Sequence, residues 1–249
     1  MMQAVLRYVG MLLAAALVVL RPFPAWPAKA LLVVFDDYPP YHYWDGETPA
    51  GLNVELTREA FRRMAEPIRF ERRSWRRSLH DVATGDVDCV VAGFRTPERE
   101  AFAFYPDEPL SLETNAVIFR ADDANPIRHL NDLYTRTVGV VAAYKYGESF
   151  DTMPHLKKQE SASDSLLLSK LLEHRVDAIM GSRLVIRHLA MKREALDRIA
   201  IGPLLKGEPL YLLISRRLGP RGSTLARRFG ETLRQMRRDG TTAKFKARY

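Results

Sequence analysis

From Leu31 onward, short unbroken apolar runs alternate with stretches whose apolar residues recur at helical spacing. Leu31 to Phe35 is the first run, ended by Asp36, Asp37, Tyr38, Pro39 and Pro40, which predicts a buried parallel strand feeding a loop. Leu56, Ala60, Phe61 and Met64 then share one helical face, with Asn53 as the expected cap and Pro67 as the stop. Ile68 to Glu71 predicts a second strand, Trp75 to Ala83 a second helix and Val87 to Gly93 a third strand. Strands and helices alternating at these lengths imply an α/β fold whose parallel sheet is covered on both faces.

The same unit recurs further along. Leu79-x-x-Val82 followed by Val87-Asp88 resembles Leu168-x-x-Leu171 followed by Val176-Asp177, the two aspartates lying 89 residues apart. Each copy predicts a helix, a tight turn and a buried strand, so two lobes of like construction are expected. Val138 to Val141, Ser161 to Glu173, Ser182 to Ala190 and Ile199 to Ile201 supply further elements of the second lobe. Apolar runs at Ala116 to Phe119 and Leu210 to Ser215 bracket it, and two neighbouring crossings there would make a hinge beside a ligand cleft. The expected division is residues 31–114 for the first lobe, 115–210 for the second and 211–249 for the return. A final helix, capped by Ser223, would present Leu225, Phe229, Leu233 and Met236 to the first lobe.

The N-terminal stretch has a different character. Arg7 precedes an apolar run of 13 residues from Tyr8 to Leu20, and three prolines lead to Ala28-Lys29-Ala30. That order predicts a secretory signal peptide over residues 1–30, cleaved after Ala30 into the periplasm, and the run is short of the roughly 20 residues that span a bilayer. Its removal also corrects the charge. The full chain carries +8, and the remainder carries 35 basic and 30 acidic side chains. Arginine clusters at Arg72, Arg73, Arg76 and Arg77 and at Arg227, Arg228, Arg234, Arg237 and Arg238 sit in amphipathic helical patterns, so they predict solvated faces and no nucleic-acid partner. Cys89 is the single cysteine and lies in an apolar run, which excludes an intrachain disulfide and a thiolate zinc site and predicts an inert core thiol.

Catalytic signatures are missing from the sequence. It contains no G-x-S-x-G, H-E-x-x-H, Walker loop or G-x-G-x-x-G after a strand, and its six histidines have no ligand spacing, so no cofactor or metal is expected. Asp36-Asp37 and Asp122-Asp123 look like turn formers. The segment Gly93-Phe94-Arg95-Thr96-Pro97-Glu98-Arg99 stands out, because it follows a strand and strand C-termini present ligand-binding groups in open α/β sheets. Thr96 can cap a short helix whose donors, with the Arg99 guanidinium, could converge on a carboxylate; an Arg–Glu surface pair is the competing explanation.

Tyr38-Pro-Pro-Tyr41, Asp45-Gly46 to Gly51-Leu52, Ser74-Trp75-Arg76-Arg77, Gly85-Asp-Val-Asp88, Thr96-Pro-Glu-Arg99 and Val176-Asp177-Ala178 occur in an order that resembles bacterial periplasmic solute-binding proteins of family 3, the amino-acid-binding group, over residues 31–249. The resemblance implies the two-lobed periplasmic binding protein type II fold, closure on a small-molecule ligand and delivery to an ABC permease. It also implies site roles: Tyr38 and Trp75 as aromatics flanking the ligand, Arg99 as the α-carboxylate clamp, and Ala142 to Tyr146 as the second-lobe loop. Here Tyr144, Lys145 and Tyr146 replace small hydroxyl residues. Ser182 stands where the family places the aspartate that pairs with the α-ammonium, and Phe94 and Arg95 replace small polar residues.

A lost acid with Arg95 and Lys145 gained predicts a positive cleft, and hence a ligand other than an ordinary α-amino acid: an acidic or aromatic carboxylate, or another polar molecule. The leading expectation is a binding protein with no catalysis. The same fold also serves a periplasmic cyclohexadienyl dehydratase, and a ligand sensor for a membrane receptor is a third possibility.

Overall fold

The computed structural model describes residues 29–249, so the expected signal peptide lies outside the described residues apart from its last two positions. The first sheet has the order β4-β1-β5-β13-β6, with β7 also paired to β13. Its strands are β1 (Leu31–Phe35), β4 (Ile68–Arg72), β5 (Cys89–Phe94), β6 (Ala103–Phe104), β7 (Ser111–Glu113) and β13 (Glu208–Ser215). A hairpin, β2 (Tyr43–Asp45) with β3 (Thr48–Ala50), stands beside it. The second sheet runs β10-β9-β11-β8-β12, from β8 (Asn115–Arg120), β9 (Thr137–Val141), β10 (Lys157–Ser161), β11 (Ala178–Ser182) and β12 (Ile199–Leu204). In each sheet the strand entering or returning across the lobes runs antiparallel to its neighbours, β8 against β11 and β13 against β5.

Helices cover both sheets, and apolar burial fixes which helix goes where. Leu56, Ala60 and Phe61 of α1 (Leu52–Arg63) and Leu225, Phe229, Leu233 and Met236 of α7 (Pro220–Arg238) enter one core with β1 and β5. On the opposite face Trp75 and Val82 of α2 (Trp75–Thr84) pack with Leu32, Val34 and Val90. In the second lobe Leu167, Leu168 and Leu171 of α5 (Asp164–Leu172) and Ile186 of α6 (Arg183–Lys192) share a core with Ala116 and Ile179. Short helices α3 (Pro97–Glu100) and α4 (Glu148–Asp151) carry loop segments at the cleft side of the sheets, and α8 (Thr241–Lys246) follows α7.

The repeated Val-Asp pair has one job in both lobes. Asp88 accepts the Leu32 amide at 2.7 Å, and Asp177 accepts the Thr137 amide at 2.7 Å. Each carboxylate thereby satisfies the first free donor of a neighbouring parallel strand, which would otherwise be an unpaired backbone group.

Several local expectations are corrected. Asn53 does not cap α1; Gly51 does, at φ 103°, where an added Cβ would stand 2.7 Å from the Tyr41 carbonyl oxygen, so only glycine fits. Ser223 lies inside α7, which starts at Pro220 after Gly219, proline's fixed φ suiting the first helical position. Ser161 ends β10, and α5 begins after Ser163, whose side chain accepts the Leu166 amide. The return to the first sheet starts at Glu208, before the Leu210 suggested by the apolar run, because β13 pairs Glu208 and Pro209 with Glu113 and Leu112. Strand β10 was not foreseen: Lys157–Glu160 are exposed at the sheet edge, where charge protects against pairing with another chain.

Candidate functional site

A narrow pocket with a cavity volume of about 40 Å³ lies where the two lobes meet, lined by Asp36, Tyr38, Trp75, Arg99, Glu113 and Tyr144 among others. Its floor is the C-terminal end of the first sheet. Asp36 follows β1 directly, Phe94 ends β5, and Arg99 stands in α3, whose N-cap Thr96 accepts the Arg99 amide through its side chain.

Arg99 is only 6% exposed and makes no ion pair among the described residues. Its Nη1 donates to the Phe94 carbonyl at 3.1 Å and its Nη2 to the Ala143 carbonyl at 3.2 Å, while the guanidinium lies 5.0 Å from the Trp75 ring centroid. Burial pulls its pKa down from the ordinary arginine value, but an arginine stays charged in any protein. Trp75 Nε1 donates to the same Ala143 carbonyl at 3.2 Å. The first lobe's clamp therefore grips the second lobe through one carbonyl oxygen. Ala143 sits at φ 63°, a left-handed conformation that alanine adopts at a cost of roughly 1 kcal/mol, so the loop is held in place by those contacts. Gly93 makes the clamp possible: a Cβ there would come within 2.8 Å of both the Trp75 Cη2 and the Leu213 Cδ1.

The other end of the pocket is acidic. Glu113 is 4% exposed, and burial, partly offset by the Tyr38 hydroxyl and Asn115, pushes its pKa up to about 8. Asp164, the first residue of α5, is 3% exposed; burial and the neighbouring Asp36 push it up to about 7. Asp36 faces His42 Nε2 at 3.6 Å and accepts the Tyr144 hydroxyl at 3.2 Å. Tyr144 reaches across from the second lobe, its ring edge-on to Tyr38 at 6.0 Å and to Trp75 at 5.9 Å.

The structure thus brings Tyr38, Trp75, Phe94, Arg99, Tyr144 and Lys145 to one pocket. Four other candidate residues do not line it. Arg95, which precedes the N-cap of α3, turns outward onto Glu100 and the Tyr105 ring. Thr96 spends its side chain on the helix cap. Tyr146 is core: its hydroxyl accepts the Val141 amide at 2.7 Å and its ring packs on Phe150. Ser182 is 1% exposed beneath the second lobe's surface, and its hydroxyl makes no hydrogen bond of acceptable geometry.

The positive cleft is also corrected. Asp36 and Glu113 join Arg99 and Lys145 in the lining, with Asp164 against them. The sequence reading missed all three acids and His42. Glu113 gave no sequence signal, because in Ser111-Leu112-Glu113 the fold buries the polar pair and leaves Leu112 64% exposed, the reverse of ordinary strand patterning. Among the described residues no group of histidine, cysteine or carboxylate side chains could hold a metal ion, and no helix is long and apolar enough to cross a membrane.

Known proteins carry the same architecture. The arginine-binding extracellular protein ArtP of Bacillus subtilis (strain 168) is 24% identical over 225 residues, covering 89% of this chain and 86% of that one. A histidine kinase sensor domain with similarity to periplasmic binding proteins superposes with a TM-score of 0.80 at 21% identity, over 89% of this chain and 96% of that one. An ancestral arginine-binding protein bound to arginine superposes with a TM-score of 0.77 at 21% identity, over 88% of this chain and 97% of that one. These likenesses establish the periplasmic binding protein type II fold. With a sequence profile matching all of residues 31–249, the chain belongs to the bacterial extracellular solute-binding proteins, family 3.

Proposed function

We propose that the protein captures a small carboxylate-bearing ligand, an amino acid or a related acid, between its lobes in the periplasm and delivers it to an ABC-type permease. The observation that carries this reading is Arg99: a buried guanidinium that faces the pocket, bonded to two carbonyls and to no carboxylate. A buried charge without its counter-ion is worth several kcal/mol less than the pair, and a ligand carboxylate accepting the fork in bidentate fashion supplies the missing partner. Relatives named for arginine binding support an amino acid.

The shared Ala143 carbonyl supports a closure mechanism. Arg99 and Trp75 of the first lobe both donate to it, so a ligand on Arg99 is bound at the seam and favours the closed form by its differential affinity for that form.

A thermal-shift screen of the purified protein against amino acids, dicarboxylates, aromatic acids, polyamines and sugars tests the reading, since a ligand that binds the native state raises the melting temperature. Shifts with amino acids support capture of that class. Shifts confined to sugars or polyamines would reject a carboxylate ligand. One observation favours a second reading: Glu113, with its pKa near 8, is a protonated pocket acid of the kind a dehydratase of this fold would use. Turnover of prephenate would establish that enzyme; binding without turnover would leave capture alone.

A further inference from the structure

The loop between β9 and α4 carries two tyrosines with opposite attachments. Tyr146 is tied to its own lobe: its hydroxyl accepts the Val141 amide, and its carbonyl accepts the Asn115 side-chain amide at 3.1 Å. Tyr144, two residues earlier, crosses to the other lobe. Its chain neighbours Ala143 and Lys145 are exposed, so the loop is a surface loop with one aromatic turned inward. In the first lobe the Tyr144 hydroxyl donates to Asp36 at 3.2 Å, and its ring meets Tyr38 and Trp75 at interplanar angles of 76° and 84°. That is the arrangement in which the positive edge of one ring meets the negative face of another. The same ring packs against two apolar clusters of the second lobe, against the Trp75 cluster of the first, and against the Tyr38–Tyr41–Val185 cluster that joins the two.

The preceding residue works in the same direction. The Ala143 carbonyl accepts from Trp75 and from Arg99, so two successive loop residues give the first lobe a hydrogen-bond acceptor, a donor and a ring. Anchored by Tyr146, the loop cannot follow the first lobe away without breaking those contacts. What they leave between the lobes is small. The cavity volume beside Tyr144 is about 40 Å³, and one water takes about 10–15 Å³ on that measure, so the space suits a few waters and excludes an amino acid.

We propose that Tyr144 is a latch, which holds the lobes shut on its own side chain and which a ligand must unseat, replacing the phenol as the bridge between lobes. The displacement rests on the ligand-capture reading; self-closure rests on the contacts of Tyr144 alone. A ligand then gives up part of its binding free energy to the exchange, and its measured affinity is reduced in proportion to the fraction of molecules that are unlatched. In return the site selects. A molecule whose contacts with the two lobes do not exceed those of the phenol fails to hold it open, so the latch discriminates against weak occupants without a dedicated contact to any of them.

The test is a distance measurement by pulsed electron double resonance between spin labels at Arg76→Cys and Glu148→Cys, exposed positions on α2 and α4 that flank the cleft from the two lobes. Cys89 is buried and stays unlabelled. With no amino acid added, the labelled chain should give a single short distance. Tyr144→Ala should lengthen it by at least about 5 Å, as hinge opening does. Tyr144→Phe, which keeps the ring and loses the bond to Asp36, should show both distances. L-arginine should return the Tyr144→Ala chain to the short distance, and calorimetry should find that variant binding L-arginine at least about threefold more tightly than the parent. A parent already at the long distance, or a Tyr144→Ala chain that stays at the short one, would overturn the latch and leave ligand capture standing. Weaker L-arginine binding by Tyr144→Ala would make the tyrosine a ligand contact and overturn the displacement. A chain that bound no amino acid would overturn capture and the displacement together, and the label distances would still decide self-closure.

Discussion

The two lobes share a scaffold and divide the chemistry. Asp88 and Asp177 cap the same kind of neighbouring strand at the same distance, and the strand after each, β5 or β11, ends at the cleft. Five residues beyond each aspartate the lobes part. Gly93 in the first leaves room for Trp75 and Arg99, whereas Ser182 in the second is buried at the end of β11. The second lobe's charge comes instead from Asp164, at the start of α5 and close to Gly181 on β11. Repeating a fold preserves the hydrogen bonds that close it; the residues that meet a ligand are free to differ.

Removing the Arg99 guanidinium tests that division most severely. Arg99→Ala should weaken binding of a carboxylate ligand by about 2–5 kcal/mol, with a far-ultraviolet circular dichroism spectrum like that of the parent. Affinity unchanged by calorimetry would place the carboxylate elsewhere. Gly93→Ala forces a methyl group against Trp75 and Leu213 and should cost about 1–3 kcal/mol of stability in urea melts. Ser182→Ala at the corresponding position removes only an unpaired hydroxyl, and should fall within about 0.5 kcal/mol of the parent. Equal penalties at the two positions would erase the contrast between the lobes.

Stability against pH separates the two acids. Burial raises Glu113 to about 8 and Asp164 to about 7, so the native chain binds more protons than the unfolded one between about pH 4 and pH 8. Stability therefore falls as pH rises through that window and levels off above it. Asp164→Asn should remove the lower part of the slope and Glu113→Gln the part that extends to the highest pH, as read from melting temperatures; parallel slopes in all three proteins would place the proton uptake on other groups. The repeat itself should respond alike in the two lobes. Asp88→Asn and Asp177→Asn each weaken one charge-assisted bond to a strand amide and should each cost about 1–2 kcal/mol, by equal amounts if the two lobes use the pair alike.

Much of the scaffold was visible in the sequence because burial writes itself as periodicity. Leu31–Phe35, Trp75–Val82 and Leu225–Met236 are apolar where they enter the core, and the spacing reveals them. Arg99 and Trp75 were visible for a different reason, through the order of motifs around them. The acidic end was not. Asp36 looks like a turn former, Asp164 like an ordinary acid at a helix start, and Glu113 is buried by a strand that turns its leucine outward. Nothing local distinguishes an acid in a closed cleft from one in water, since three separate elements create the environment. Tyr146 failed in the reverse direction: it shares a loop with Tyr144, but its hydroxyl is consumed by the Val141 amide.

The central claim is that Arg99 holds the ligand's carboxylate. Calorimetric titration of the parent protein and of Arg99→Ala with L-arginine and with its carboxamide, argininamide, tests it directly, because the two probes differ only at that group. The parent should bind L-arginine at least about a hundredfold more tightly than argininamide, and Arg99→Ala should bind the two alike. A parent that fails to distinguish them, or an Arg99→Ala variant that keeps the distinction, would contradict the account.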